Sequence, residues 1–192
     1  MTQLTKTTLR RSLRAARRAH VEAQPDAIRA LLFHRPPAPV AAQIPAGAII
    51  GLYHAVPFEA PAHGYARFFH DAGHAIALPR FNARDGAMAF ARHADPYDDS
   101  DLAPGPFGML QPDAAAEPLI PDVLFVPLVG FTADRARLGQ GGGHYDRWLA
   151  EHPAKLAIGL AWDVQICADL PTEPHDVTLD AVITPTRIYG NL

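Results

Sequence analysis

Four glycines fall within five residues in the stretch RLGQGGGHYDRW, Arg137 to Trp148, and two aromatics and an acid follow at once. Glycine weakens regular structure and is informative where the backbone needs a special shape or a close approach. A glycine-rich turn that opens a helix presents backbone N–H groups and the positive end of a dipole, and both favour phosphate. Arg135 and Arg137 precede the glycines and carry the planar donors that a polyphosphate needs. Asp146 falls in the first helical turn after them, where a carboxylate is favoured and can reach a Mg²⁺ bridging phosphates. The spacing is not that of a P-loop, because no Lys-Ser/Thr pair follows. Nor is it the dinucleotide fingerprint, because His144 stands at the third glycine position. On spacing alone, a tight turn without ligand and an ordinary first-turn acid both stay open.

A second set of cations lies near the N-terminus. Residues 5–21 read as a helix with a narrow apolar stripe, Leu9, Leu13 and Ala16. Lys6, Arg10, Arg14 and Arg17 fall beside that stripe within roughly 80° of arc at about 100° per residue. Such a helix is either a solvated, arginine-rich surface or a packed arm whose rim offers positive charge.

The elements that would position these groups alternate. Short apolar runs at 48–55, 74–81, 122–129, 155–162 and 179–186 have strand length. Helical patterns occupy 25–34, 60–72 and 143–152, a weaker strand 87–92, and Pro-rich or polar loops 34–47 and 93–121. Buried strands alternating with helices predict an α/β fold. The expected form is a Rossmann-like three-layer sandwich with a mostly parallel central sheet, forming one domain over 1–192 with residues 1–21 as a basic helix packed on the body. The glycine loop follows the run 122–129, and ligands of open α/β sheets sit beyond the carboxyl ends of strands.

Bulk composition narrows the function classes. The 192 residues are 48% hydrophobic and 19% charged, enough for a real core. Residues 1–21 hold six bases and no acid, which leaves 11 bases against 20 acids, a net of −9, in the remainder. A basic arm on an acidic body argues against a general nucleic-acid binder and for one local anionic ligand. The single Cys167 excludes an internal disulfide. No apolar run reaches signal-peptide or membrane-span length, so a cytoplasmic protein with no membrane and no nucleic-acid partner is expected.

Five segments resemble one family, the 5-formyltetrahydrofolate cyclo-ligases. They are KTTLR at 6–10, GLYHAVPFE at 51–59, LPRF at 78–81, VPLVGFTADRARLGQGGGHYDRWL at 126–149, and EPHDVTLDAVIT at 173–184. The resemblance implies an ATP- and Mg²⁺-dependent enzyme, acting as a monomer, that converts 5-formyltetrahydrofolate, with or without a polyglutamate tail, to 5,10-methenyltetrahydrofolate, releasing ADP and phosphate. A formamide is a poor electrophile whose oxygen leaves poorly. Phosphorylating that oxygen activates it, N10 of the same folate attacks the formyl carbon, and phosphate departs. Positioning and charge neutralisation do most of such work.

The resemblance also implies residue roles. Lys6 and Arg10 match the basic residues that contact ATP phosphates, with Lys6 and Arg137 as the catalytic cations. Arg137, Leu138, Gly139, Gln140, Gly141, Gly142, Gly143, His144 and Tyr145 match the loop that wraps ATP, and its last four residues border the folate. Asp146 and Asp176 match the Mg²⁺ positions. Glu59 matches the acid that hydrogen-bonds the pterin; Tyr53, His54 and Met109 are further folate contacts. Arg80 would add charge near the phosphates or folate tail, and Trp162 is either pocket lining or core. Gln140 departs from a common Arg, with Arg135 a candidate to compensate; His144 departs from a common Tyr. The sequence after Glu59, APAHG, departs from a frequent Val-Asp-Thr. These departures keep open a binding relative of the same fold with weak or no turnover.

Overall fold

The computed structural model describes residues 5–84, 86–153 and 155–190. The chain opens with α1 (Lys6–Ala23), α2 (Asp26–Leu31) and α3 (Ala38–Ala42). Then come β1 (Ile50–Gly51), α4 (His63–Asp71), β2 (Ile76–Arg80) and β3 (Ala89–His93). Three short strands follow: β4 (Leu102–Pro104), β5 (Leu110–Pro112) and β6 (Pro118–Leu119). The glycine-loop region has β7 (Val123–Pro127), β8 (Gly130–Thr132), β9 (Arg137–Leu138) and α5 (His144–Glu151). Last are β10 (Leu156–Leu160), β11 (Ile166–Cys167), β12 (Ala181–Ile183) and β13 (Ile188–Tyr189).

The central sheet has the order β13-β12-β10-β7-β1-β2-β3-β6. Its five middle strands, β12 to β2, are parallel. Antiparallel partners close both edges, β13 on one side, β3 and β6 on the other. Both faces are covered, and β7 shows why its sequence reads as an unbroken apolar run. Val123 and Phe125 point into a core under α4 with Tyr65 and Phe69, whereas Leu124 and Val126 point into a second core under α5 with Trp148 and Leu149. Successive strand residues face opposite sides, so a strand sandwiched between helices must be apolar throughout.

Several boundaries differ from the sequence expectation. The apolar runs are longer than the strands they contain: 48–55 yields only Ile50–Gly51, and 179–186 only Ala181–Ile183. The loop expected over 93–121 contains the β4–β5 hairpin and β6, and the loop over 34–47 contains α3. On α1, Ala16 is exposed and Arg17 is buried instead, with Val21 one turn on. A guanidinium goes inward there because an acid waits for it, as described below.

Candidate active site

A cleft of ≈ 620 Å³ opens at the carboxyl ends of β1, β2 and β7, lined among others by Tyr53, Pro79, Phe81 and Pro127. The position follows from the parallel sheet. Every residue expected to bind ATP, folate or metal lines this cleft: Lys6, Arg10, Tyr53, His54, Glu59, Met109, the whole segment Arg137 to Asp146, and Asp176. Arg80 and Trp162 are not among its walls. Arg80 Nη1 donates to the carbonyls of Asp113, Ala114 and Ala116, bracing the segment beyond the β4–β5 hairpin. Trp162 is buried in the core, and its indole N–H donates to Phe58 O at 3.0 Å.

The glycine loop is held between a small sheet and α5. β8 and β9 form an antiparallel pair that carries Arg137 and Leu138, both buried. Gly141 has φ +112 and Gly143, the residue before the first turn of α5, has φ +64. Side-chain-bearing residues adopt such values at a cost of about 1–2 kcal/mol. A Cβ on Gly142 would lie 2.7 Å from the His144 ring, and one on Gly141 3.5 Å from the Arg10 guanidinium. Gly141 and Gly143 therefore hold backbone conformations that a side chain disfavours, and a side chain at 142 would have to displace the His144 ring, whereas one at 141 would make only ordinary contact with Arg10.

Four cations of α1, Lys6, Arg10, Arg14 and Arg17, line the cleft, and each has a partner. Lys6 Nζ donates to Glu173 and Asp176, both at 2.6 Å. Burial works against the Lys6 charge, but these two carboxylates outweigh it and raise its pKa. Burial raises the Asp176 carboxyl, but Lys6 and the Glu173 amide prevail and hold it below the ordinary carboxylate range. Lys6 likewise lowers the exposed Glu173. Arg10 Nε donates to Gly139 O at 2.9 Å, and Arg14 Nη2 to the carbonyl and side-chain oxygens of Gln140 at 3.2 and 2.5 Å. Arg137 Nη2 meets Asp146 Oδ1 at 2.6 Å, with the guanidinium 6.0 Å from the Tyr145 ring centroid. The Val177 amide donates to the same Asp146 oxygen at 3.1 Å, which joins the tail motif to α5.

Glu59 lines the same cleft next to both the arm and the loop, its side chain 6% exposed. The Val56 amide donates to Oε2 at 3.2 Å and Gln140 Nε2 to Oε1 at 2.7 Å, while Arg17 Nη1 stands 3.8 Å from Oε1. Burial pushes the Glu59 carboxyl up despite these three favourable partners. The turn that carries it is pinned from below by Trp162 and by Tyr53, whose hydroxyl donates to Ala60 O at 2.5 Å. Tyr53 thus borders the cleft with its ring while its hydroxyl is engaged; burial and Glu59 raise its pKa. Burial, with Glu59, raises that of Tyr145 as well. His54 lies 3.6 Å from Asp99.

Three aromatic rings form another part of the cleft lining. His144 meets Phe81 edge-on at 4.9 Å and Phe107 at 5.8 Å between ring centres, with Phe81 and Phe107 5.0 Å apart. Burial and the Arg147 guanidinium hold the His144 imidazole below its ordinary pKa, which disfavours its charged form. Phe81, Phe107, Arg17 and Glu173 were not anticipated as site residues. The helical spacing of Lys6, Arg10, Arg14 and Arg17 was the available signal for Arg17, and the proximity of Glu173 to Asp176 in EPHD was the signal for Glu173. Arg135 lies outside the cleft, its side chain against Gly190; Arg14 is the cation that meets Gln140.

The residues present suit a polyphosphate with a divalent cation. Buried Nε atoms of Arg17 and Arg137 have no hydrogen-bond partner among the described residues, and loop amides, Lys6, Arg10 and Arg137 share one cleft. Glu173, His175 and Asp176 bring ligand atoms within 4.8 Å of one another. Asp146 is not in that group; it accepts from the amide of Val177, the residue after Asp176.

Among the described residues, no helix is long and apolar enough to cross a membrane. The model of the 5-formyltetrahydrofolate cyclo-ligase family matches residues 2–185. A protein of Escherichia coli named 5-formyltetrahydrofolate cyclo-ligase is 44% identical over 70 residues, 35% of this chain and 38% of that protein. The chain's match thus spans well under half the length of that relative. Two solved structures share the fold. A 5,10-methenyltetrahydrofolate synthetase from Aquifex aeolicus has TM-score 0.74 and 22% identity, covering 97% of this chain and 93% of its own. One from Mycoplasma pneumoniae has TM-score 0.69 and 23% identity, covering 94% and 98%.

Proposed function

Because the chain belongs to the 5-formyltetrahydrofolate cyclo-ligase family, we propose that it converts 5-formyltetrahydrofolate to 5,10-methenyltetrahydrofolate at the expense of ATP, as a single catalytic domain. One observation carries this reading beyond the family match. A single cleft brings together a cationic arm, a glycine loop, a buried carboxylate and a cluster of aromatic rings. A phosphate donor fits the arm and loop, and a heteroaromatic ring with N–H donors fits the carboxylate and the rings.

In this reading the formyl oxygen of the folate takes the terminal phosphoryl group of ATP, and ADP leaves. N10 attacks the formyl carbon and gives up its proton to solvent, the ring closes, and the oxygen departs as part of inorganic phosphate. Arg137, Lys6, Arg10 and the amides of Gly139 to Gly143 neutralise and orient the phosphates, where preorganised donors matter most. Glu59 accepts the pterin's fork of N–H donors. Tyr53, His54, Met109, His144 and Tyr145 border the folate with Phe81 and Phe107. Asp176, with Glu173 beside it, and Asp146 would hold Mg²⁺, which when bound offsets phosphate charge.

The ion pairs serve the ligand-free state. Lys6 and Arg137 are each held by a carboxylate and sit ready to exchange that partner for phosphate oxygens. The protein works as a monomer in the cytoplasm, with or without a polyglutamate tail on its substrate. Incubation with Mg-ATP and 5-formyltetrahydrofolate should yield methenyl absorbance. ATP binding without product at high enzyme would instead favour a binding relative that has lost turnover.

A further inference from the structure

Gln140 stands exposed on the glycine loop, and its carboxamide is used at both ends. Nε2 donates to Glu59 Oε1 at 2.7 Å, and Oε1 accepts from Arg14 Nη2 at 2.5 Å. The backbone carbonyl of Gln140 accepts from the same Arg14 nitrogen at 3.2 Å. A primary amide donates at one end and accepts at the other. The carboxylate therefore takes the NH₂ and the guanidinium takes the C=O. An arginine at 140 would satisfy Glu59 but face Arg14 with a like charge. The result is a chain, Arg14–Gln140–Glu59, across three separate elements: the arm helix, the loop and the turn after β1. Arg10 supports it with a second arm-to-loop bond, to Gly139 O.

We propose that Gln140 is a positioning residue for Glu59: it orients the carboxylate for the folate ring and ties that orientation to the docking of α1 on the glycine loop. The identity of the ring rests on the cyclo-ligase reading. The link itself is a property of the ligand-free protein. It assigns the Gln140 side chain to the folate side of the cleft, although its backbone belongs to the phosphate loop.

The groups facing Glu59 come from every neighbouring element: Arg14 and Arg17 on α1, Tyr53 and the Val56 amide on its own turn, and Gln140 and Tyr145 from the loop and α5. Burial raises its pKa, and Val56, Arg17, Gln140 and Arg14 oppose that in turn. Losing Gln140 removes one opposing bond and slackens Arg14, so Glu59 then titrates at higher pH.

Gln140→Leu keeps the size and removes both hydrogen-bonding ends. The position is exposed, so the fold should persist, as circular dichroism would verify. Carbon-13 NMR of the Glu59 carboxyl in ligand-free protein reads the link, and calorimetry with 5-formyltetrahydrofolate and separately with Mg-ADP reads its use. The Glu59 midpoint should rise. The Kd for folate should rise about tenfold, as for a lost hydrogen bond to a charged group, while that for Mg-ADP changes by less than about threefold. An unmoved Glu59 midpoint overturns the link, whatever the protein binds. Weakened Mg-ADP with folate spared overturns the assignment to the folate side. Wild-type protein that binds Mg-ADP but no 5-formyltetrahydrofolate overturns the cyclo-ligase reading and the folate part of this proposal together, leaving the NMR midpoint to judge the link.

Discussion

The Arg137–Asp146 pair offers a perturbation whose size follows from its surroundings. The two side chains are 3% and 15% exposed and meet at 2.6 Å. For charges about 4 Å apart at an effective dielectric near 20, attraction is about 4 kcal/mol, and desolvation offsets most of it. Arg137→Ala loses the attraction without recovering the cost of desolvating Asp146. Asp146 would keep the Val177 amide on that oxygen and little else among the described residues. The expected loss is about 2–3 kcal/mol, a fall in Tm of about 5–10 °C for a chain of this size. Adding Asp146→Asn removes the stranded charge, so the double variant should recover a substantial part of the loss. Differential scanning calorimetry of wild type, both single variants and the double variant measures this directly. Turnover should fall by about 10²-fold or more in Arg137→Ala and should not return in the double variant. Additive Tm losses, or a single variant melting within about 1 °C of wild type, would show that the pair does not hold this end of the cleft.

Three further outcomes follow from the same geometry. Gly143→Ala places a side chain at φ +64 and should lower Tm by about 2–4 °C, whereas Gly143→Asn should lower it less; equal losses would mean that left-handed strain is not the cause. The raised pKa of Glu59 means that its stability contribution is present below its unfolded pKa, about 4.3, and is lost as pH rises through the folded value. Glu59→Gln should therefore be at least as stable as wild type at pH 8 while turnover collapses, and a variant melting well below wild type there would contradict this. Asp176 and Glu173 have depressed pKa values, so their hold on Lys6 is complete above their unfolded values of about 4 and fails as pH falls through the lower folded values. Hydrogen exchange over 6–23 should accelerate across that acid range in wild type and change less in Lys6→Met; identical profiles would place the anchor of α1 elsewhere.

The parallel sheet was legible because strands covered on both faces must be apolar at every position, as Val123 to Val126 are. The cleft was legible because the glycine loop follows the strand end on which such sites form. The β4–β5 hairpin was not, because each strand has three residues and ends in proline, too short for an alternating pattern to register. Apolar periodicity chose Ala16 over Arg17 for the inner face of α1. It could not see Glu59, which reaches Arg17 only through the fold. The Gln140–Glu59 bond joins residues 81 apart, and no local pattern announces such a contact. For the same reason the sequence offered Arg135 as the compensating cation for Gln140, whereas the fold turns Arg135 away and brings Arg14 in.

The central claim is that the cleft brings the formyl oxygen of the folate to the phosphate wall, so that this oxygen is phosphorylated before it leaves. 5-Formyltetrahydrofolate carrying ¹⁸O in the formyl group, turned over with unlabelled Mg-ATP, tests it directly by mass spectrometry of the products. One ¹⁸O is expected in the released phosphate for each methenyl product formed. Methenyl product accompanied by unlabelled phosphate, with the ¹⁸O appearing in water, would contradict it.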